Sequence, residues 1–330
     1  MSNKVKIVLT GANGFLGSHL VDRLLLESAE VHCLVRKTSN LKWLQDPRIH
    51  IHTCGLTDIP AMAAVFKNVD YIFHLAGTVA ALNYEGYLYG NVELTKNLLE
   101  AALLSNTNLK KIVVTSSLAV GGPCTKDTPI DETGDFNAIA LYGKAKVEQE
   151  KLCQQYQDRL PITIARPSVI SGAREAELFE FIKTINQGLV PLVGFQDKYV
   201  GIVNVKDLIE AFYQMALAEK TAGEAYYLSS EEIISWKELA DLIATKLNKK
   251  PLYLKLPHGI IKLAGKLSGF VGKLRGTAPT FDFEKAKEGV QEAWICKVDK
   301  AARDFGFKQT VSIKDGVEEA IDWYKENNWL

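Results

Sequence analysis

Apolar residues in the first half of the chain come in short continuous runs rich in valine and isoleucine: VKIVLT, EVHCLVR, IHIHTCG, VDYIFHLAG, LKKIVVTSS and LPITIARP. Longer stretches with apolar positions at helical spacing separate them, among them FLGSHLVDRLLLES, NVELTKNLLEAALLS and LYGKAKVEQEKLCQQY. Continuous apolar strands alternating with helices predict an α/β fold, a doubly wound parallel sheet covered on both faces. After Arg166 the rhythm is less regular, with VGIVNVKDLIEAFYQMAL, EAYYLSS, SWKELADLIATKL and IKDGVEEAIDWYKEN as its clearest elements. No internal repeat or low-complexity linker divides the chain. The second half therefore reads as a smaller lobe packed on, and partly interleaved with, the first.

Glycines punctuate the first strand–helix junction, VLTGANGFLGSHL, at Gly11, Gly14 and Gly17. At such a junction glycine permits a tight turn, lets the backbone approach a diphosphate and allows close helix–strand packing. The helix N-terminus then offers free N–H groups and a positive dipole end. The pattern predicts a dinucleotide-binding Rossmann domain over 1–168 and a mainly substrate-binding lobe over 169–330, with about 199–218 returning to the Rossmann domain. A free ribose 2′-hydroxyl is met by an acid about twenty residues past the glycines, whereas a 2′-phosphate needs a guanidinium. Here CLVRKTSN places Arg36 and Lys37 at that point, with Ser39 as a further donor and no acid. The cofactor expected is NADP, with NAD as the alternative.

Of the twelve tyrosines only Tyr142 has a lysine four positions on, Lys146 in YGKAK. That spacing places both on one helical face, and an ammonium beside a phenol is expected to lower its pKa toward a range useful for proton transfer. Upstream, Ser117 in VVTSSLAVGGP stands at a strand end, where its hydroxyl can meet a substrate oxygen opposite the tyrosine.

In order, TGANGFLG, HLAG, GNVELTKNLLEAA, VTSS, YGKAK and ARPSVISG resemble the motifs of extended short-chain dehydrogenases/reductases, the NAD-dependent epimerase/dehydratase superfamily. YVGIVNVKDLIEA is similar to that family's late strand–helix unit, so the likeness covers nearly the whole chain. The resemblance implies an enzyme in which Tyr142 is the general acid/base, Lys146 lowers its pKa and holds the nicotinamide ribose, and Ser117 orients the reacting oxygen. Asn91 resembles the helix asparagine that supports proton relay in many members. Cofactor contacts implied by the same motifs are Gly11, Asn13, Gly14, Phe15, Leu16 and Gly17, then Arg36, Lys37 and Leu56. Leu75, Ala76 and Gly77 of HLAG, and Pro167 and Ser168 of ARPS, complete them with Tyr142 and Lys146. The chain departs from the family at Gly55-Leu56, where an acid usually precedes the leucine and bonds adenine; recognition there falls to the Leu56 backbone.

For the substrate, Thr78, Val79, Ser117 and Val169 are the expected contacts, with Tyr87 and Trp294 read as packing. Many nucleotide-sugar members have an asparagine where this chain has Val169, and no arginine clamp for a diphosphate is evident beyond Arg174. TSSLAVGGP and RPSV are closer to the dihydroflavonol-reductase and 3β-hydroxysteroid-dehydrogenase branch. The leading expectation is hydride transfer to a ketone or from a secondary alcohol, on a lipophilic or polycyclic small molecule. A nucleotide-sugar epimerase or dehydratase, and a non-catalytic dinucleotide-binding regulator, stand as alternatives.

Charge changes this picture little: 39 basic and 39 acidic residues among 330 point to no nucleic-acid partner. The five cysteines lack C-x-x-C spacing, which argues against a disulfide framework and a cysteine-rich metal site; no metal is expected. Without an apolar leader or an uninterrupted apolar span, a cytoplasmic, non-spanning protein is expected. Many members of the family pair as homodimers, and the resemblance leaves that open here. One segment stands out. In IIKLAGKLSGFVGKL (260–274), Ile260, Leu263, Ala264, Leu267, Phe270, Val271 and Leu274 fall on one helical stripe and Lys262, Lys266 and Lys273 on another. It reads as a cap whose apolar stripe packs on the lobe over the substrate cleft, or as a helix touching a membrane surface. Gly265, Gly269 and Gly272 suggest a mobile element under either reading.

Overall fold

A computed structural model describes residues 4–105 and 109–330. In chain order its first half contains β1 (Lys6–Thr10), α1 (Phe15–Leu24), β2 (Glu30–Leu34), β3 (Ile49–His52), α2 (Ile59–Phe66), β4 (Tyr71–His74) and α3 (Tyr84–Leu88). A π-helical turn (Tyr89–Glu93) leads into α4 (Leu94–Leu104), followed by β5 (Lys111–Thr115), a 3₁₀ turn (Leu118–Val120), α5 (Leu141–Gln154) and β6 (Ile162–Pro167). The second half begins with β7 (Val169–Ser171), α6 (Glu177–Asn186), β8 (Leu189–Val193), β9 (Tyr199–Asn204), α7 (Val205–Leu217), β10 (Ala225–Leu228) and β11 (Ile233–Ser235). It ends with α8 (Trp236–Leu247), β12 (Leu252–Leu256), α9 (His258–Arg275), α10 (Phe283–Gly289), β13 (Ala293–Trp294), α11 (Asp299–Phe305) and α12 (Ile313–Glu326).

Seven parallel strands form the main sheet in the order β10-β6-β5-β4-β1-β2-β3. Strand order reverses between β1 and β4, which opens a crevice at their carboxyl ends where such folds bind ligands. Alternation along β1 explains why both faces are covered. Ile7 and Leu9 enter one core with Leu20, Phe73 and Phe212, while Val8 enters the other with Phe66, Leu98 and Ile112. A third core, built on Ile182, Ile202, Leu239, Ile243 and Val317, belongs to the smaller lobe.

The two halves are threaded through each other. β9 pairs with β7, β11 and β13 in a separate four-stranded sheet, while α7 after it packs on α1, β5 and β6. Of 199–218, then, the helix lies on the Rossmann sheet and the strand does not, because β9 hydrogen-bonds to lobe strands. β10, beyond that stretch, adds the sheet's edge strand beside β6. All five cysteines are unpaired, and Trp294 anchors locally by donating its indole N–H to the Glu288 carbonyl at 3.0 Å.

Helix α9 departs from the cap expectation. Its apolar stripe does not pack on the lobe: Ile260, Leu263, Leu267, Phe270, Val271 and Leu274 are exposed. The glycines face inward instead. A Cβ on Gly265 would stand 2.6 Å from the Asp282 carbonyl oxygen, and one on Gly272 would stand 2.6 Å from the Pro279 ring. At Gly265 and Gly272 the neighbouring chain leaves no room for a side chain, whereas Gly269 has only the Asp282 Cβ at 3.9 Å.

Between α5 and β6 lies a buried ion pair. Arg166 donates to both Glu150 carboxylate oxygens, at 2.7 Å through Nη2 and 3.0 Å through Nε, and Ser116 adds a 2.5 Å bond to Oε1. Their side chains are 9% and 1% exposed. Removing one partner strands a buried charge, so Arg166→Met should destabilise the fold by about 3–5 kcal/mol in urea unfolding. The double variant Glu150→Met/Arg166→Met should recover most of that loss; equal destabilisation of single and double variants would contradict the pairing.

Candidate active site

The crevice is shaped first by glycine. Gly11 adopts φ +70°, and a Cβ there would lie 2.7 Å from the Ala76 nitrogen; on Gly17 it would lie 2.1 Å from the Gly11 carbonyl oxygen. The β1–α1 turn is thereby pressed against α1 and against the segment after β4. Gly14 is different: a Cβ there would meet only the Gly11 oxygen, at 3.3 Å, so its other side is open. α1 starts behind it with no side-chain cap and no acid in its first turn. Exposed N–H groups at a positive helix end with room above them suit a diphosphate, so the turn fits a dinucleotide. Arg36 and Lys37 are exposed at the end of β2 and neither is held in an ion pair among the described residues. The Arg36 N–H is steadied by the Ser39 hydroxyl at 3.1 Å.

Tyr142 and Lys146 lie one turn apart on α5, with the lysine Nζ 5.8 Å from the phenol ring centre. Ser117, which accepts the Ala119 N–H at 3.2 Å as the cap of the 3₁₀ turn, hydrogen-bonds to Tyr142. The lowering of Tyr142 by its lysine is not what the site produces. Burial pushes the phenol up, the carboxylates of Glu177 and Glu288 push the same way, and the Ser117 bond opposes them. Lys146 faces elsewhere: its ammonium donates to the Thr115 carbonyl and to Gln149 Oε1, both at 2.9 Å. Burial lowers Lys146 to about 8, the nearby Glu150 opposing.

Those bonds begin a fully buried network whose proton order can be worked out. Thr95 donates its only hydroxyl proton to the Asn91 carbonyl at 2.6 Å. It must therefore accept from Gln149 Nε2 at 2.8 Å and from His74 Nε2 at 2.9 Å. His74 is then the neutral Nε2–H tautomer, and its Nδ1 accepts from Thr10 Oγ1 at 2.7 Å, while Thr10 accepts the Ala76 N–H at 3.2 Å. Burial lowers His74 to about 3, with the Lys146 charge adding to the effect.

The chain that carries this glycine turn, serine, tyrosine and buried lysine has relatives among known proteins. The sequence profile of the NAD dependent epimerase/dehydratase family matches residues 7–265. The chain belongs to that family. It is an NAD(P)-dependent enzyme of the extended short-chain dehydrogenase/reductase type. A ceramide reductase of Caulobacter vibrioides is 24% identical over 326 residues, 98% of this chain and 96% of that protein. A putative UDP-glucose 4-epimerase of Methanocaldococcus jannaschii is 27% identical over 342 residues, 98% of this chain and 99% of that one. The crystal structure of gox2253 superposes with a TM-score of 0.82 at 26% identity, covering 98% of this chain and 99% of that one. Relatives in the family thus include both reductases and epimerases.

Within this reductase/epimerase scaffold, Asn91 sits buried in the π-helical turn and its side chain is fully engaged. Nδ2 donates to the Thr78 and Tyr87 carbonyls, both at 2.9 Å, and Oδ1 accepts the Thr78 N–H at 3.3 Å. Its visible work is to hold the segment carrying Gly77, Thr78 and Val79 beside the site. Leu75 bonds back to β1 through its N–H, and Asn13, Phe15 and Leu16 lie on the glycine turn and the start of α1. Leu56 lies past β3, its carbonyl accepting from Asn97 at 3.0 Å. Pro167 ends β6, Ser168 follows, and Val169 opens β7 in register with Ile202. Arg174 lies against α1: Nη1 is 2.9 Å from Asp22 without hydrogen-bond geometry, and the guanidinium stacks 4.5 Å over Trp43.

Thr10, His74, Thr95 and Gln149 were not picked out from sequence as site residues, although helical spacing places Thr95 one turn from Asn91 and Gln149 one turn from Lys146. Lys285, 3.6 Å from Glu177, was missed because it enters from the second lobe. The unfolded chain binds a proton at His74 near 6.5 that the folded chain refuses down to about 3. Stability owed to neutral His74 is complete above the unfolded value and lost as pH falls toward 3. Urea midpoints measured across that window should fall less steeply in His74→Asn than in the wild type; identical slopes would assign the acid sensitivity elsewhere.

Proposed function

We propose that the enzyme transfers hydride between NADP(H) and a ketone or secondary alcohol of a lipophilic small molecule. The observation that carries this reading is Arg174. Arg174, the arginine of the segment that directly follows β7, lies 2.9 Å from Asp22 and stacks over Trp43, and Val169 stands where many nucleotide-sugar members have an asparagine. Next to Leu141, the residue before Tyr142, a cleft of about 320 Å³ is walled by Leu82, Phe270, Pro279 and Phe283, with Lys266 and Lys273 on its α9 side and Asp282 and Glu284 on its α10 side. Tyr87 joins cleft to site, its ring 6.3 Å from that of Tyr142. Similarity to a ceramide reductase supports a lipid-like carbonyl substrate.

The glycine turn, Arg36 and Lys37 for a 2′-phosphate, and Lys146 for the ribose through the proton that Thr115 and Gln149 leave free, would hold NADP(H), which would supply or accept the hydride. Ser117 hydrogen-bonds the substrate oxygen and keeps it against Tyr142. Tyr142 donates its phenolic proton to that oxygen in reduction and withdraws it in oxidation. A phenol held protonated by burial is ready as the acid; as the base it needs the Lys146 charge and the Ser117 bond to stabilise the phenolate. Orientation of the carbonyl against these fixed groups accounts for much of the rate.

Purified protein with NADPH should consume it with long-chain or polycyclic ketones. Interconversion of UDP-sugars without net NADPH oxidation would overturn the reading in favour of an epimerase. On the substrate so found, Tyr142→Phe should lower turnover by at least roughly 10²–10⁴-fold while NADPH still binds, and Lys146→Met should impair both; near-normal turnover of the phenylalanine variant would place the proton donor elsewhere. Arg36→Ala should weaken NADPH binding by roughly 1.5–3 kcal/mol, the range for bonds to charged groups, and leave NAD binding unchanged. Titration calorimetry with both cofactors decides, and wild-type preference for NAD would refute the assignment.

A further inference from the structure

Among the described residues helix α9 carries more exposed large apolar side chains than any other element. Ile260, Leu263, Leu267, Phe270, Val271 and Leu274 are 41–72% exposed along four turns, whereas only Ile261, Gly265 and Gly272 of the helix are buried. Phe195, 69% exposed, stands near its start, where Gly194 packs on the His258 ring. A contiguous apolar face of this kind on a protein surface marks an interaction site. What it meets is told by charge. The chain as a whole is neutral, yet the forty residues between Asp241 and Asp282 hold eight Lys and Arg and no acid. Four of the eight, Lys262, Lys266, Lys273 and Arg275, lie on α9 itself.

We infer that α9 seats the enzyme on an anionic lipid bilayer, its leucine and phenylalanine face entering the headgroup boundary and its lysines meeting the lipid phosphates. Among the described residues no helix is long and apolar enough to cross a membrane, so the contact is in the plane of the surface, as for other amphipathic basic helices. The inner face explains how such a helix is held. Gly265 and Gly272 bring its backbone against Asp282 and Pro279, so the helix keeps its whole apolar stripe outward while staying docked. Phe270, Lys266 and Lys273 belong at once to this helix and to the cleft next to Leu141. A lipophilic substrate leaving the bilayer along α9 therefore meets the cleft without crossing bulk water. That route rests on the ketone-reductase reading, but docking itself does not, and its test requires no turnover.

The test is flotation of the full chain with vesicles of phosphatidylcholine, with and without phosphatidylglycerol. The wild type should float with the anionic vesicles and be released by high salt. Each basic residue near an anionic surface contributes roughly a fivefold gain in partitioning, so Lys262→Glu/Lys266→Glu/Lys273→Glu should weaken binding by more than roughly hundredfold. Leu263→Ser/Leu267→Ser/Leu274→Ser should also lose flotation. Both variants should keep wild-type circular dichroism and NADPH binding, which separates lost docking from lost folding. Three results would each overturn the proposal: no flotation with anionic vesicles, equal and salt-insensitive flotation with neutral vesicles, or a wild-type dimer in sedimentation that the serine variant dissolves, since the face would then be covered by a second copy.

Discussion

A lysine ammonium inside a protein is costly unless every side of it is satisfied, and the crevice of this enzyme is arranged around meeting that demand at Lys146. The Thr115 carbonyl at the end of β5 and the Gln149 amide on α5 take two of its protons. Gln149 is oriented in turn by Thr95 on α4, Thr95 also accepts from His74 at the end of β4, and His74 is fixed by Thr10 at the end of β1. Three strand ends and two helices are locked by one chain of bonds in which each donor has one acceptor. Such a network is rigid only when complete. Its neutrality at His74 matters as well, because a second positive charge there would face Lys146 across the same interior.

Close backbone approach does for the rest of the crevice what the network does for Lys146. Gly17 against Gly11, Gly11 against Ala76 and Gly90 against Thr78 bring the glycine turn, the segment after β4 and the π-helical turn into direct contact. At Gly90 a Cβ would overlap the Thr78 hydroxyl, and Asn91 beside it binds the Thr78 backbone from both sides. The extra residue that widens a helix into a π turn falls where a side chain must reach inward to hold a loop, a frequent place for this distortion.

The parallel sheet was legible because buried strands write themselves as continuous apolar runs; the glycine turn and the Tyr142–Lys146 pair show in local spacing, and Ser117 in its place at a strand end. The same cues fail where partners are distant in sequence. Spacing placed Lys146 beside Tyr142 but not the carbonyl and amide that turn the ammonium away, nor the burial and the two carboxylates from the other lobe that raise the phenol instead of lowering it. Asn91 was noticed for a proton relay, while its bonds go to backbone that only the folded loop brings near. In 260–274 periodicity separates the apolar stripe from the lysine stripe, but the inward face is neither of them: Gly265 and Gly272 form it. Apolar side chains are ordinarily the inward face, and only a partner backbone close enough to exclude any Cβ reverses that preference.

That reversal ties the outer helix to the chemistry. α9 lies on α10 through Gly265 and Asp282, and α10 reaches the catalytic helix through Glu284, whose carboxylate accepts the Leu141 N–H at 2.9 Å. Leu141 is the first residue of α5 and immediately precedes Tyr142, so an acid from the second lobe supplies the N-terminal cap that α5 lacks from its own sequence. Glu284 is held in turn by Lys287 at 2.7 Å. The start of α5 is therefore fixed from outside the Rossmann domain. The second lobe is thus, through one carboxylate, part of what positions the start of α5 and with it Tyr142.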